Sequence, residues 1–222
     1  MIVETFADLA GRVLAAPPRL GAVRLVAIDG PAGAGKTTFG ARLARALREA
    51  GAHVEEVHVD DLLDGWDDMV TYWPRFESGV LDRLRDGKPG CYPRYDWHRG
   101  RFGPEVAVPV PDVLVFEGVT SARAAARRHL SLAVYVTAPR DVRLARGVER
   151  DGAALEGHWL RWMAGEEAHF AADPTHDRAD LIVDGAPAGL RAPDRQYVRS
   201  FTPDPGWRTI RETEEADGEA AP

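Results

Sequence analysis

LVAIDGPAGAGKTTF, residues 25 to 39, decides the fold. The apolar run AVRLVAI (22–28) reads as a strand. GPAGAGKT, Gly30 to Thr37, then fits G-x-x-x-x-G-K-[ST]. TTFGARLARALREAG follows as a helix that stops at Gly51. Strand, glycine-rich turn and helix is the order the motif requires. The glycines let the backbone curl so that its N–H groups converge on phosphate oxygens, and the helix N-terminus adds positive potential. Lys36 is placed to reach β/γ-phosphates, and Thr37 to ligate Mg²⁺. Composition singles out Lys36, because the chain uses 26 Arg and two Lys, Lys36 and Lys88.

Outward from this point, strands and helices alternate. HVEEVHV (53–59), residues 112–116 within VPDVLVFEG, LAVYVTA (132–138) and ADLIVDG (179–185) read as strands. Helices are predicted over 2–15 (Ile2, Phe6, Leu9, Val13 and Leu14 on one side), 75–86, SARAAARRHL, the stretch after Pro139, and 155–171. Residues 60–74 read as a loop. So does YPRYDWHRGRF (92–102), which has no clean period of 2 or 3.6. The alternation predicts an α/β fold with a parallel sheet of about five strands, covered on both faces. A single domain is expected over 1–186. Residues 187–222, rich in Pro, Asp, Arg and Glu, are expected to be a largely surface or disordered extension.

The bulk numbers narrow the function. No apolar run approaches the ~20 residues that span a bilayer, and the N-terminus lacks the basic-then-apolar form of a signal peptide. Cys91 is the one cysteine, so no internal disulfide forms. A cytoplasmic protein without a membrane partner is expected. Net charge is −7, and the last twelve residues, RETEEADGEAAP, supply −4 of it, leaving −3 for the body. Nucleic-acid-binding domains are usually basic, so nucleic acid is not an expected partner. No Cys/His cluster has metal spacing, which argues against zinc. The chain has no Asn, so it lacks the Asn-Lys-x-Asp motif of guanine-specific proteins, and ATP is the expected nucleotide.

Three further groups carry chemistry. Glu117, just past a buried strand in VLVFEG, is placed for the Mg²⁺ side of a phosphate-loop enzyme. Asp60 and Asp61 end the second strand, where open parallel sheets hold their sites. A carboxylate there could accept a proton from an attacking hydroxyl. With Asp64, Asp67 and Asp68 following, an acidic surface loop is the alternative. Arg143, Arg146 and Arg150 share a helical face at i, i+3 and i+7. They could close over a transferring phosphoryl, or form a solvated basic face.

This order of parts resembles the uridine kinase family of P-loop nucleoside kinases, relatives of phosphoribulokinase and pantothenate kinase. The matching residues are GPAGAGKT (30–37), HVDDL (58–62), YDWHR (95–99), VFEG (115–118) and RGVERD (146–151), with coverage of roughly 20 to 185. The resemblance implies a P-loop NTPase three-layer sandwich of the nucleoside/nucleotide-kinase type, with an acceptor loop over 60–104 and a lid over 140–157. It implies phosphoryl transfer from ATP, with Mg²⁺, to a hydroxyl of a small molecule, uridine or cytidine first. In that reading Asp60 is the base, with Asp61 second, and Lys36, Arg146 and Arg150 are catalytic. Gly30, Gly33, Ala34, Gly35, Lys36, Thr37, Thr38 and Arg143 bind nucleotide, and Thr37 and Glu117 hold the metal. Asp61, Tyr95, Asp96, Trp97, His98 and Arg99 clamp the acceptor by stacking and edge contacts. The chain departs from the family in two places: no spacer separates Trp97 from His98, and Leu62 and Leu63 stand where the family prefers aromatics. Other acceptors (a nucleoside monophosphate, a vitamin precursor, an antibiotic), a homo-oligomer and an ATP-binding regulatory protein remain open alternatives.

Overall fold

The computed structural model describes residues 2 to 200. Nine strands form in chain order: β1 (Ile2–Thr5), β2 (Arg24–Asp29), β3 (Val54–His58), β4 (Gly90–Asp96), β5 (Arg101–Val108), β6 (Val113–Glu117), β7 (Leu130–Thr137), β8 (Leu181–Asp184) and β9 (Gln196–Arg199). Seven make one sheet in the order β1-β9-β8-β7-β2-β6-β3, and β4 and β5 pair separately. From β8 to β3 every neighbour is parallel. These are the five parallel strands that the alternation predicts. β9 and β1 extend the sheet in antiparallel fashion.

Side chains alternate across the sheet as strand geometry requires. Val26 and Ile28 of β2, with Val113 and Val115 of β6, face α1 (Phe6–Ala15) and α2 (Lys36–Glu49). Leu25 and Ala27, with Leu114 and Phe116, face the opposite layer. That layer is built from α3 (Val59–Leu62), α4 (Trp73–Phe76), α5 (Asp82–Arg85) and Trp162. Phe76 stacks on Phe116 there, 3.9 Å between ring centroids. Both faces are thus buried, which is why the central strands read as continuous apolar runs.

Four expectations are corrected. The helix predicted over 2–15 starts at Phe6, because Thr5 caps it by accepting the Asp8 N–H, and Ile2–Thr5 pair with β9 instead. The extension predicted from 187 enters the sheet at Gln196–Arg199; its last residues, including the acidic tail, lie outside the described ones. Residues 92–102 belong to a hairpin, β4 with β5. A register shift between Pro93 and Tyr95 breaks the period of 2, which explains the missing pattern. SARAAARRHL tightens to a 3₁₀ stretch, Ala124–His129. The residues before it are fixed in a turn in which Asp29 accepts the N–H groups of Thr120 and Ala122.

Asp29 is fully buried at the end of β2 and also accepts the Gly30 N–H at 2.7 Å. Burial pushes its pKa up to about 6 against these three backbone donors and the Lys36 charge. Asp29→Ala would leave three buried N–H groups without their partner, at about 1–3 kcal/mol each. We expect a stability loss of at least ~3 kcal/mol, seen as a lower urea midpoint at unchanged slope; a loss below ~1 kcal/mol would remove Asp29 from this role.

Candidate active site

The carboxyl ends of three adjacent strands meet on one side of the sheet. The phosphate loop follows β2, Asp60 and Asp61 follow β3 in the short helix α3, and Glu117 ends β6. In the parallel register Glu117 sits opposite Ile28 on one side and His58 on the other. The register therefore determines the contacts. Thr37 Oγ1 donates to Glu117 Oε1 at 3.0 Å, and His58 Nδ1 lies 2.6 Å from the same oxygen. The Glu117 hydrogen bond holds the His58 pKa above its usual value, against desolvation.

The phosphate loop is shaped by its neighbours. Gly33 has φ +76°, and a Cβ there would meet the Arg143 carbonyl oxygen at 2.5 Å. Gly35, also left-handed, begins α2, so Lys36 and Thr37 occupy its first turn. The Lys36 ammonium is buried and donates to the Pro31 carbonyl at 3.0 Å.

In front of this loop lies a cavity of ~990 Å³. Of the residues predicted from sequence, Gly33, Gly35, Lys36, Thr37, Thr38, Asp60, Asp61, Trp97, His98, Glu117, Arg146 and Arg150 line it. Gly30, Ala34, Tyr95, Asp96, Arg99 and Arg143 do not. Tyr95 packs behind Trp97, 5.1 Å between rings. Asp96 accepts the N–H groups of His98 and Arg99 and so forms the hairpin turn, while the Arg99 head points to solvent and pairs with Asp96.

The two aspartates differ. Asp61 accepts from Arg94 Nε at 2.9 Å and from the Tyr92 hydroxyl at 3.3 Å, so it is committed to the hairpin. Among the described residues nothing donates a hydrogen bond to the Asp60 carboxylate. Asp60 is exposed, on the wall of the cavity. Desolvation first, and the Glu117 charge second, raise its pKa against Lys36 and Arg150. Asp68, in the acidic run that follows, is buried and bonded to Arg75, Thr71 and the Asp64 N–H, a structural use of a carboxylate.

The three arginines predicted to share a face also part company on α6 (Arg140–Asp151). Arg143 is buried, paired with Glu166 at 3.3 Å and bonded to the carbonyls of Ala138 and Ala32. It lies beneath the phosphate loop rather than over the cavity. Arg146 donates to the carbonyls of Gly33 and Gly185. Arg150 pairs with Asp151 and lies over the Trp159 ring, 5.5 Å from its centroid.

Sequence reasoning missed most of the apolar wall. Trp66, Trp159 and Trp162 line the cavity with Trp97, as do Leu63, Val119 and Leu155. Trp66 touches Trp97, Trp162 and His158 at centroid distances of 5.5–5.9 Å. A usable signal existed: Trp159 and Trp162 sit at i and i+3 on α7 (Glu156–Ala172), hence on one face.

A family model described as Phosphoribulokinase / Uridine kinase family matches residues 75–190, more than half of the chain. The chain belongs to the phosphoribulokinase/uridine kinase family. Relatives in this family include the uridine kinases of Borrelia hermsii and Borrelia turicatae. Each is 26% identical over 194 residues, which is 80% of this chain and 93% of theirs. The fold is also that of a possible uridine kinase from Bacillus stearothermophilus: TM-score 0.60 at 21% identity, over 80% of this chain and 96% of that one. The α/β fold with its mostly parallel sheet is thus the fold of P-loop kinases, and a kinase of this family is what the chain is. No helix among the described residues is long and apolar enough to cross a membrane.

Arg143 and Arg150 should respond differently to truncation. Arg143→Ala leaves the buried Glu166 carboxylate without its counter-ion, and we expect a stability loss of about 3 kcal/mol. Arg150, whose head is 65% exposed, should change stability by less than ~0.5 kcal/mol when replaced by alanine. Thermal unfolding of both variants checks the contrast; equal losses would contradict it.

Proposed function

We propose that the protein is an ATP-dependent kinase that transfers the γ-phosphoryl to a hydroxyl of a small, planar, uncharged acceptor, with nucleosides such as uridine or cytidine the first candidates. The observation that carries this is the position of Asp60. Its carboxylate lines the same cavity as Lys36, Thr37 and Glu117, has no hydrogen-bond donor among the described residues, and stands beside an aromatic wall.

The phosphates would lie on the loop N–H groups, with Lys36 at the β/γ end. A second, smaller cavity shares Gly35, Thr38 and Arg146 with the first and is walled by Phe39, Gly185, Pro187 and Leu190. It suits the nucleotide base, reached from the opposite side of the loop. Thr37 and Glu117 fit Mg²⁺. They are a hydroxyl and a carboxylate 3.0 Å apart at the loop, hard oxygens of the kind Mg²⁺ takes from protein while keeping water and phosphate oxygens. Bound there, Mg²⁺ would neutralise phosphate charge. His58 orients the Glu117 carboxylate from behind.

Asp60 takes the proton of the acceptor O–H. The acceptor oxygen then bonds to the γ-phosphorus, the bond from that phosphorus to the β,γ-bridging oxygen breaks, and ADP leaves with that electron pair. Lys36 and Arg150 offset the charge of the transferring group, and Arg146 holds the loop carbonyls. The cytoplasmic location and the lid role of 140–157 belong to this same proposal.

The placement of charge favours an uncharged acceptor over a phosphorylated one. The cations on the cavity wall are Lys36, Arg146 and Arg150, all on the phosphate loop or α6. Arg94 is paired with Asp61, and neither it nor Arg99 or Arg101 lines the cavity.

The test is ADP release from ATP·Mg²⁺, with and without uridine, cytidine and their monophosphates. Stimulation by a nucleoside and not by its monophosphate is expected; stimulation by the monophosphate alone would overturn the uncharged acceptor. Asp60→Asn should lower kcat at least ~10²-fold with ADP affinity unchanged. A general base must be ionised, and the Asp60 pKa is raised. So kcat/KM should fall on the acid side at a higher pH than an ordinary aspartate, near 3.9, would give.

A further inference from the structure

We infer that Glu166 is a positioning residue that couples the phosphate loop to the tryptophan wall of the acceptor cavity, so that nucleotide binding is felt at Trp162. Glu166 is on α7 and only 2% exposed. Its Oε1 accepts two hydrogen bonds from opposite halves of the site: the Ala32 N–H of the phosphate loop at 2.6 Å and the Trp162 indole N–H at 2.7 Å. Its Oε2 faces Arg143 at 3.3 Å, and Arg143 also donates to the Ala32 carbonyl. The Ala32 residue is therefore gripped at its N–H by Glu166 and at its carbonyl by Arg143.

The contacts continue without a gap. The Trp162 ring meets Trp66, Trp66 meets Trp97, and the Trp97 indole donates to the Asp60 carbonyl at 3.0 Å. A carboxylate accepting two bonds at one oxygen cannot follow one donor without straining the other. Charge-assisted bonds of this kind are short and directional. A shift of the phosphate loop on binding phosphates therefore moves the indole, and by reciprocity an occupant held by the tryptophans biases the loop. Coupling rests here on contiguous contacts, and a coupling measurement must decide it.

The inference rests on the nucleotide-binding reading of the loop, and the experiment separates the two. The full chain is titrated with ADP·Mg²⁺ while tryptophan emission is followed, and ADP affinity is measured independently by equilibrium dialysis. The Trp162 contribution is the emission change that Trp162→Phe abolishes. We expect Trp162→Phe to remove a clear part of the change at saturating ADP, its own ADP affinity being taken from the dialysis. Glu166→Gln, which keeps the shape but not the charge, should bind ADP with three- to tenfold lower affinity and halve the Trp162 contribution or more. A merely structural role would lower the melting temperature of Glu166→Gln and leave that contribution at full size, which overturns the inference. An emission change identical in the parent and Trp162→Phe also overturns it, and it decides the matter even if Glu166→Gln fails to fold. ADP that does not bind the parent protein in dialysis overturns the nucleotide reading itself, and the inference with it.

Discussion

One buried carboxylate holds the two halves of the phosphate site in register. Asp29 ends β2, accepts the first N–H of the phosphate loop, and accepts two more from the turn after β6. Parallel strands alone would align the ends of β2 and β6. They would not fix the chain beyond those ends, because the turns leave the sheet with no ladder partners. Asp29 supplies that tie. Ionised, it is costly to bury, and its raised pKa records the cost. Three backbone donors and the nearby Lys36 charge offset part of it. The contacts of Thr37 with Glu117 and of Glu117 with His58 depend on the two strand ends staying aligned.

The cavity is asymmetric in charge and in surface. Its phosphate side has backbone donors, Lys36 and two arginines. The far side has four of the six tryptophans in the chain and the carboxylates of Asp60 and Asp61. Such a wall favours a flat ring, which gains apolar contact and edge-to-face geometry. Leu63, where the family prefers an aromatic, lines the cavity, and Trp66 lies three residues further on. An aromatic ring is thus still supplied from the segment after Asp60, at a shifted position.

Much of the fold was legible because its signals are local. The phosphate loop, its flanking strand and helix, and the four other parallel strands each announce themselves through an apolar run or a fixed spacing. The hairpin at 90–108 was not, because a bulge at Pro93 shifts the alternation midway and the run then looks aperiodic. β1 and β9 were not, because four-residue strands carry too little pattern, and β9 comes after a stretch rich in proline and charge. In the site, Lys36, Thr37, Asp60 and Glu117 follow from strand ends and one motif. Trp66, Trp159 and Trp162 converge from segments about 90 residues apart, and only the tertiary fold brings them together.

The arginines of α6 show where periodicity stops being informative. Spacing of i, i+3 and i+7 correctly places Arg143, Arg146 and Arg150 on one face of α6, but a face is not an environment. α6 runs from beneath the phosphate loop outward across the cavity mouth. Its first arginine therefore meets a buried glutamate, its second the loop carbonyls, and its third a tryptophan ring and solvent. Exposure of the side chain rises along the series, from 9% at Arg143 to 65% at Arg150. The electrostatic consequence runs the other way from simple charge counting. The most buried guanidinium is matched by the Glu166 carboxylate and by the carbonyls of Ala138 and Ala32. The outermost is the most exposed, and it pairs with both oxygens of Asp151. A sequence of identical residues thus becomes a graded series from buried brace to exposed ion pair, set by the angle at which one helix crosses the loop.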